Sequence, residues 1–188
     1  MGLTIEILPI GQVDKSSLLQ IKEGLAKIFP ETTCHISIEK LDLPKAALDK
    51  NRNQYRSNQF LGMIHSYAEK KEEANRIIGV LDVDIFVPEL NFVFGEASFP
   101  GKVALISLWR LKPEFYKLKP NVELYAERTL KEAVHEVGHT LGLQHCQRSS
   151  CVMHFSNSIF DTDKKQSSFC DECYLKAALA INSLEKTT

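Results

Sequence analysis

Residues 135–146 read HEVGHTLGLQHC, and no other stretch restricts so tightly what this chain can become. On a helix, His135 and His139 lie one above the other, about 6 Å apart along the axis and about 40° apart in azimuth, close enough for one tetrahedral ion. Glu136, next to the first histidine, is rotated by about 100°, which aims it at a water on the ion rather than at the ion. An HExxH pattern alone recurs by chance. Here it continues as H-E-x-x-H-x-x-G-x-x-H, which fixes two more positions. Gly142 stands where the helical pattern stops, and glycine takes the left-handed conformation that turns a chain sharply. Such a turn would swing His145 back beneath the two helical histidines as a third ligand. Three neutral imidazoles leave zinc its full charge and one open position, the arrangement of a catalytic site. Glu136 is then the expected general base, taking a proton from zinc-activated water and passing it to a leaving amine.

The dipeptide His145-Cys146 places two strong zinc donors side by side. In an extended segment successive side chains point to opposite sides, so His145 facing one ion sends Cys146 away from it. Cys146-x4-Cys151 and Cys170-x2-Cys173 supply four thiolates, the ligand set of a closed structural zinc. The expected cofactors are therefore two zinc ions per chain. Two disulfides, or simple buried thiols, are the plain alternative, and a reducing compartment disfavours the disulfides. His154 is left over by this count and reads as a bystander. Cys34 stands alone in a predicted strand and reads as a small core residue.

The helical pattern around the motif runs from about Val122 to Leu141, with Leu130, Val134, Val137 and Leu141 on one core stripe. The histidines lie on the opposite side, together with Arg128 and Glu132, so a polar face looking into water is the ordinary alternative to a metal site. Elsewhere the elements alternate in type. Residues 3–10 read as a strand, and 15–29 as a helix with Asp14 as N-cap and Leu18, Ile21, Leu25 and Ile28 as its stripe. Strands are expected over Cys34–Leu41, over 77–86, over 91–98 and over 102–111, and a polar helix over 57–73. A last amphipathic helix is expected over Asp171–Leu184 with Leu175, Ala178 and Leu179 facing inward. The fold class is α/β (α+β), sheet interleaved with helices. The tail after Cys146 has little apolar material of its own and needs a metal, a disulfide or a larger body to lean on.

Length and composition restrict the rest. At 188 residues the chain suits one domain, and 44% hydrophobic with 25% charged residues is ordinary for a globular protein. Its 23 basic and 24 acidic side chains give no electrostatic footprint for nucleic acid, and the run Glu69–Glu73 reads as a solvated face. No apolar run approaches a membrane span, and the N-terminal stretch carries neither a basic n-region nor a myristoylation pattern. A cytoplasmic, monomeric protein is expected.

The chain resembles the archaemetzincins, within the metzincin clan of zinc peptidases. The likeness is carried by HEVGHTLGLQH at 135–145, by Cys146, Cys151, Met153, Cys170 and Cys173, and more loosely by residues 82–97. The resemblance implies a zinc-dependent metallopeptidase acting on peptides or unfolded chains, with a catalytic zinc on His135, His139 and His145 and Glu136 as base. It implies a Met-turn at Met153 forming an apolar floor, and a second zinc on the four cysteines. It also implies an upper subdomain, 1–142, with a twisted mixed sheet and two long helices, and a smaller zinc-stapled one, 143–188, with the substrate cleft between them. The segment at 91–98 would be an antiparallel edge strand that rims the cleft and binds peptide by strand addition. For Phe92 and Phe94 core packing is the plain alternative, and for Asp82 and Asp84 a polar strand end. Two rival functions need weighing. A non-catalytic, zinc-stabilised peptide binder would not need the glutamate, and a zinc-ribbon nucleic-acid binder would need a basic surface that is absent here.

Overall fold

The computed structural model describes residues 2–71 and 73–184. In chain order the elements are β1 (Thr4–Ile10), α1 (Lys15–Ile28), β2 (Thr33–Ile36), β3 (Leu48–Asp49), β4 (Gln54–Arg56), α2 (Ser57–Ala68), β5 (Arg76–Leu81), β6 (Ile85–Phe86), β7 (Gly95–Ala97), β8 (Val103–Ser107), α3 (Val122–Thr140), α4 (Ile159–Lys164) and α5 (Asp171–Leu184). Asp14 caps α1 by accepting from the Ser17 amide at 3.0 Å, and Leu18, Ile21 and Leu25 are buried beneath it. The capped helix is the one expected.

The main sheet has the order β2-β1-β5-β8-β7. Its first four strands are parallel and β7 runs antiparallel at the edge, so the sheet is mixed, and two long helices, α1 and α3, share one core with it. The opposite face packs on Phe60, Ile64 and Tyr67 of α2. Burial on both faces explains why β1, β5 and β8 read as nearly continuous apolar runs rather than alternating ones. Glu6 is the exception within β1, and its carboxylate accepts from the Tyr67 hydroxyl at 2.7 Å. A second small sheet has the order β3-β4-β6.

Several expected elements are shorter. The stretch 77–86 is not one strand. β5 stops at Leu81, because Asp82 and Asp84 cannot sit in a doubly buried sheet and instead pair with Lys112 at 2.5 Å and Arg110 at 2.6 Å; Ile85 and Phe86 then join the second sheet. Polar strand end is thus the right description of the two aspartates. The stretch 91–98 is a strand only over Gly95–Ala97, and Cys34–Leu41 only to Ile36, with Leu41 bridging back to Ile10. Cys34 is a buried core residue, as expected. The helix expected over 57–73 ends at Ala68 and is less polar than its composition suggested, since one face buries Phe60, Ile64 and Tyr67. Glu72, part of the charged run, lies outside the described residues.

The larger differences follow Gly142. The second face of α3 is not open to water: Arg128, Lys131, Glu132, His135 and Glu136 are all 6% exposed or less. The chain folds back over that face, and the Asp163 carboxylate takes two bonds of 2.7 Å from the Arg128 guanidinium. On α5 the inward residues are Cys173, Ala177 and Ile181, whereas Leu175 and Leu179 are exposed. The expected phase was wrong because two apolar stripes coexist on this helix, and the one carrying Cys173 faces the other cysteines. No helix among the described residues is long and apolar enough to cross a membrane.

Candidate functional site

The α3 helix ends in the turn its sequence requires. Gly142 has φ +86°, and the amides of Gly142 and Leu143 donate to the carbonyls of His139 and Gly138 at 2.9 and 3.1 Å. The reversal brings His145 under the helix, so the rings of His135, His139 and His145 stand with centroids 4.6, 4.8 and 5.3 Å apart. His135 Nδ1 lies 2.8 Å from the Val152 carbonyl, and His139 Nδ1 lies 2.8 Å from that of Leu143. A carbonyl can only accept, so each Nδ1 carries the proton and each Nε2 presents a bare lone pair. Those two Nε2 atoms face each other at 3.0 Å. Lone pairs at that distance repel unless an electrophile lies between them. Tetrahedral zinc with bonds of about 2.0–2.1 Å holds its nitrogens about 3.3 Å apart, close to what is found.

The electrostatics favour the ligating form of the rings. Burial holds the imidazoles of His135 and His145 below the usual range and lowers that of His139 to about 4, with the Lys165 ammonium adding to the effect at all three. Glu136 is buried beside them, and burial, followed by the neighbouring Glu132 carboxylate, raises its pKa well above the ordinary value. The absence of a side chain at Gly95 leaves room for Glu136: a Cβ there would lie 2.6 Å from Glu136 Cγ. Gly138 does the same for Met153, which is fully buried under the helix with Sδ 2.5 Å from where a Cβ would be. Glycines inside a helix and a strand were the available signals for both contacts, and sequence reasoning passed over them.

A cavity of about 320 Å³ opens beside Glu136 between the edge strand β7 and the segment Phe155–Asn157. β7 is antiparallel and at the sheet edge, as expected for a rim. Phe94 is in the core, edge-on to Phe92 at 5.2 Å, and both also line the cavity.

The four cysteines form a second, separate group. Cys146, Cys151, Cys170 and Cys173 offer sulfurs that lie within 4.8 Å of one another, and none is disulfide-bonded. Cys146 and Cys170 are 3.9 Å apart, against about 3.8 Å for two thiolates on a tetrahedral zinc with bonds of about 2.3 Å. Burial raises the pKa of Cys151 and Cys173. Burial also opposes ionisation of Cys170, but the Cys173 amide and the neighbouring thiols outweigh it and bring its pKa to about 7. His145 and Cys146 thus diverge into different groups. His154 belongs to neither; its Nδ1 braces the Cys146 carbonyl at 2.9 Å.

The chain is similar to known proteins over nearly its whole length. The family model for peptidase family M54 matches residues 16–178. The archaemetzincin of Methanocaldococcus jannaschii is 43% identical over 94% of this chain and 93% of its own, and that of Pyrococcus abyssi 43% over 94% of each. The crystal structure of the Methanopyrus kandleri archaemetzincin superposes with TM-score 0.84 at 33% identity, covering 96% of both chains. That of Archaeoglobus fulgidus, complexed with malonate, gives 0.79 at 37% identity, covering 93% of this chain and 99% of that one. With the family model, the fold and the near full-length similarity together, the chain belongs to peptidase family M54, the archaemetzincins, and is a zinc metallopeptidase.

Proposed function

We propose that His135, His139 and His145 hold the catalytic zinc, that Glu136 is the general base of peptide hydrolysis, and that Cys146, Cys151, Cys170 and Cys173 hold a second, structural zinc. The observation that carries the catalytic assignment is the pair of bare Nε2 atoms at 3.0 Å beside a buried carboxylate that lines a cavity. When bound, zinc supplies a Lewis acid that polarises the scissile carbonyl and acidifies water. The Val152 and Leu143 carbonyls orient the ligating rings and fix their tautomers. Glu136 takes a proton from the attacking water and delivers it to the leaving amine, and its burial strengthens its hold on that proton between the two transfers. The free edge of β7 offers backbone groups to an extended peptide, which would position the scissile bond over the rings.

The division at Gly142 fits the same reading: residues before it carry the sheet and its helices, and residues after it form a cysteine-clamped subdomain that supplies His145. Reduced thiols as metal ligands suit a cytoplasmic location. A Glu136→Ala variant is expected to keep both ions and its fold while peptide cleavage falls by about 10²–10⁴-fold. Zinc content and turnover measured on one preparation test this. Cleavage at the wild-type rate by the variant would remove Glu136 from the mechanism.

A further inference from the structure

Glu132 lines the same cavity, one helical turn before Glu136 on α3. Its Oε1 accepts from the Thr162 hydroxyl at 3.1 Å and lies 3.0 Å from Lys165 Nζ. The Lys165 side chain is wholly buried, and this ion pair is its one partner among the described residues. Thr162 and Lys165 therefore fix the Glu132 carboxylate in place while using only one of its oxygens. No described residue donates to Oε2. The Ser156 hydroxyl, also in the cavity lining, is buried without a partner. Glu96 Oε2, in the same lining, is buried without a partner as well. Buried polar atoms nearly always have partners in the state in which a protein works, so the Ser156 and Glu96 orphans in one cavity call for a ligand that supplies them, and the undonated Glu132 oxygen stands ready beside them.

The remaining wall sorts the candidates. Leu90, Phe92 and Val93 are apolar, and the charged lining side chains apart from the histidines are the carboxylates of Glu96, Glu132 and Glu136, with no lysine or arginine. We infer that Glu132 is the specificity-determining acceptor of this cavity, and that the cavity takes a basic side chain, arginine or lysine, of the substrate peptide. The aliphatic stem would lie along the apolar wall and the cationic tip would donate to Glu132 Oε2 and Ser156 Oγ. An acidic side chain would meet like charge. An apolar one would leave both polar atoms stranded, which is how a site built for hydrogen bonding rejects the analogue that lacks the donor. This inference rests on the peptidase reading and names its substrate class.

The test measures binding apart from turnover. Alanine-based fluorescent peptides carrying one guest residue, arginine, lysine, glutamine, methionine or glutamate, are titrated against zinc-loaded Glu136→Gln, which holds peptide without cutting it. Arginine and lysine guests are expected to bind at least about tenfold more tightly than methionine. In a Glu132→Leu/Lys165→Met background both members of the ion pair go together, so neither is left buried alone, and methionine should become the preferred guest. Should that background fail to fold, Glu132→Gln keeps the shape without the charge and must also lose the basic preference. Equal binding of arginine and methionine overturns the inference, as does glutamine binding as well as arginine, or a basic preference unchanged by the substitutions. Wild-type turnover of the same peptides separates the two readings. Selective binding with no cleavage sinks the mechanism and leaves this inference standing, whereas cleavage indifferent to the guest does the reverse.

Discussion

The two donor groups stand back to back on the His145-Cys146 dipeptide, yet different things hold them up. Two of the three histidines ride on α3, a 19-residue helix whose Val134 and Val137 are buried in the main core. Their positions are set before any ion arrives. All four cysteines come from the segment after Gly142, where the helices are short or have few buried residues, and Cys151 and Cys173 are themselves part of the core they help to form. A donor set on a packed helix selects an ion. A donor set that doubles as the core of a small segment depends on one.

The sharpest way to break this comparison is to remove each ion in turn. Cys173→Ala should lose one zinc and destabilise the protein by several kcal/mol, on the order of half of the roughly 10–16 kcal/mol apparent binding energy of a structural zinc site, since much of that segment leans on other contacts. His139→Ala should also lose one zinc, but with stability changed by only about 1 kcal/mol, because that ring is partly exposed and its helix is held elsewhere. Metal content and thermal unfolding of both variants check this, and equal destabilisation would erase the distinction. Mild chelation of the wild type should remove the open, three-nitrogen ion first, since a closed four-sulfur site presents no vacant position for attack.

The same contrast explains what could be read in advance. Both donor groups were legible because donors able to share one ion need fixed spacing along the chain: histidines four residues apart on one helix face, a glycine to turn it, and a pair of cysteines on either side of α4. Asp14 as a cap and the stripe of α1 were legible for a similar reason, since both are local. Strand and helix ends were misjudged in several places, but the larger failures were those that depended on the fold of the tail. Arg128 and Asp163 are 35 residues apart, and nothing in the helix pattern says that a later segment will cover its polar face. The pairing of Glu132 with Lys165 went unread for the same reason. On α5, Leu175 and Leu179 are the more hydrophobic choice, but the phase follows Cys173.

The second effect in size tests the join between the regions. Arg128 is 1% exposed and its guanidinium is held by Asp163 from the far side of Gly142. Asp163→Ala would strand a buried cation, a loss of about 3–5 kcal/mol where one partner of a buried pair is removed. The companion variant Arg128→Met/Asp163→Ala should recover most of it. Because α4 carries Asp163 and the Thr162 hydroxyl that bonds Glu132, the single variant should also loosen the cavity beside Glu136, seen as faster hydrogen exchange across 159–165 than in the double variant. An unchanged denaturation midpoint in Asp163→Ala would mean that the Arg128 pair does not hold the tail to α3, and that the Glu132 contacts and the cysteine clamp carry the join.

The smallest effect is the most selective. Gly138 lies on α3 between His135 and His139, and an added methyl would press on the Met153 sulfur. Two terms then oppose each other. Alanine favours a helix over glycine by about 1 kcal/mol, while overpacking a full core costs about 1–3 kcal/mol, so net stability should move by no more than about 1–2 kcal/mol. Met153, though, sits in a turn that touches both donor groups: its neighbour Val152 supplies the carbonyl that orients His135, and its own carbonyl accepts from the Cys146 amide at 2.9 Å. A shift of a few tenths of an ångström there misaims one imidazole, to which an open three-ligand site is sensitive, since misplaced supporting groups typically cost about 10–100-fold in metal affinity. Gly138→Ala is therefore expected to release the histidine-bound zinc to a chelator roughly tenfold faster while the cysteine-bound zinc leaves at its wild-type rate. Equal acceleration at both sites would show that Met153 couples the two donor groups rather than supporting only the first.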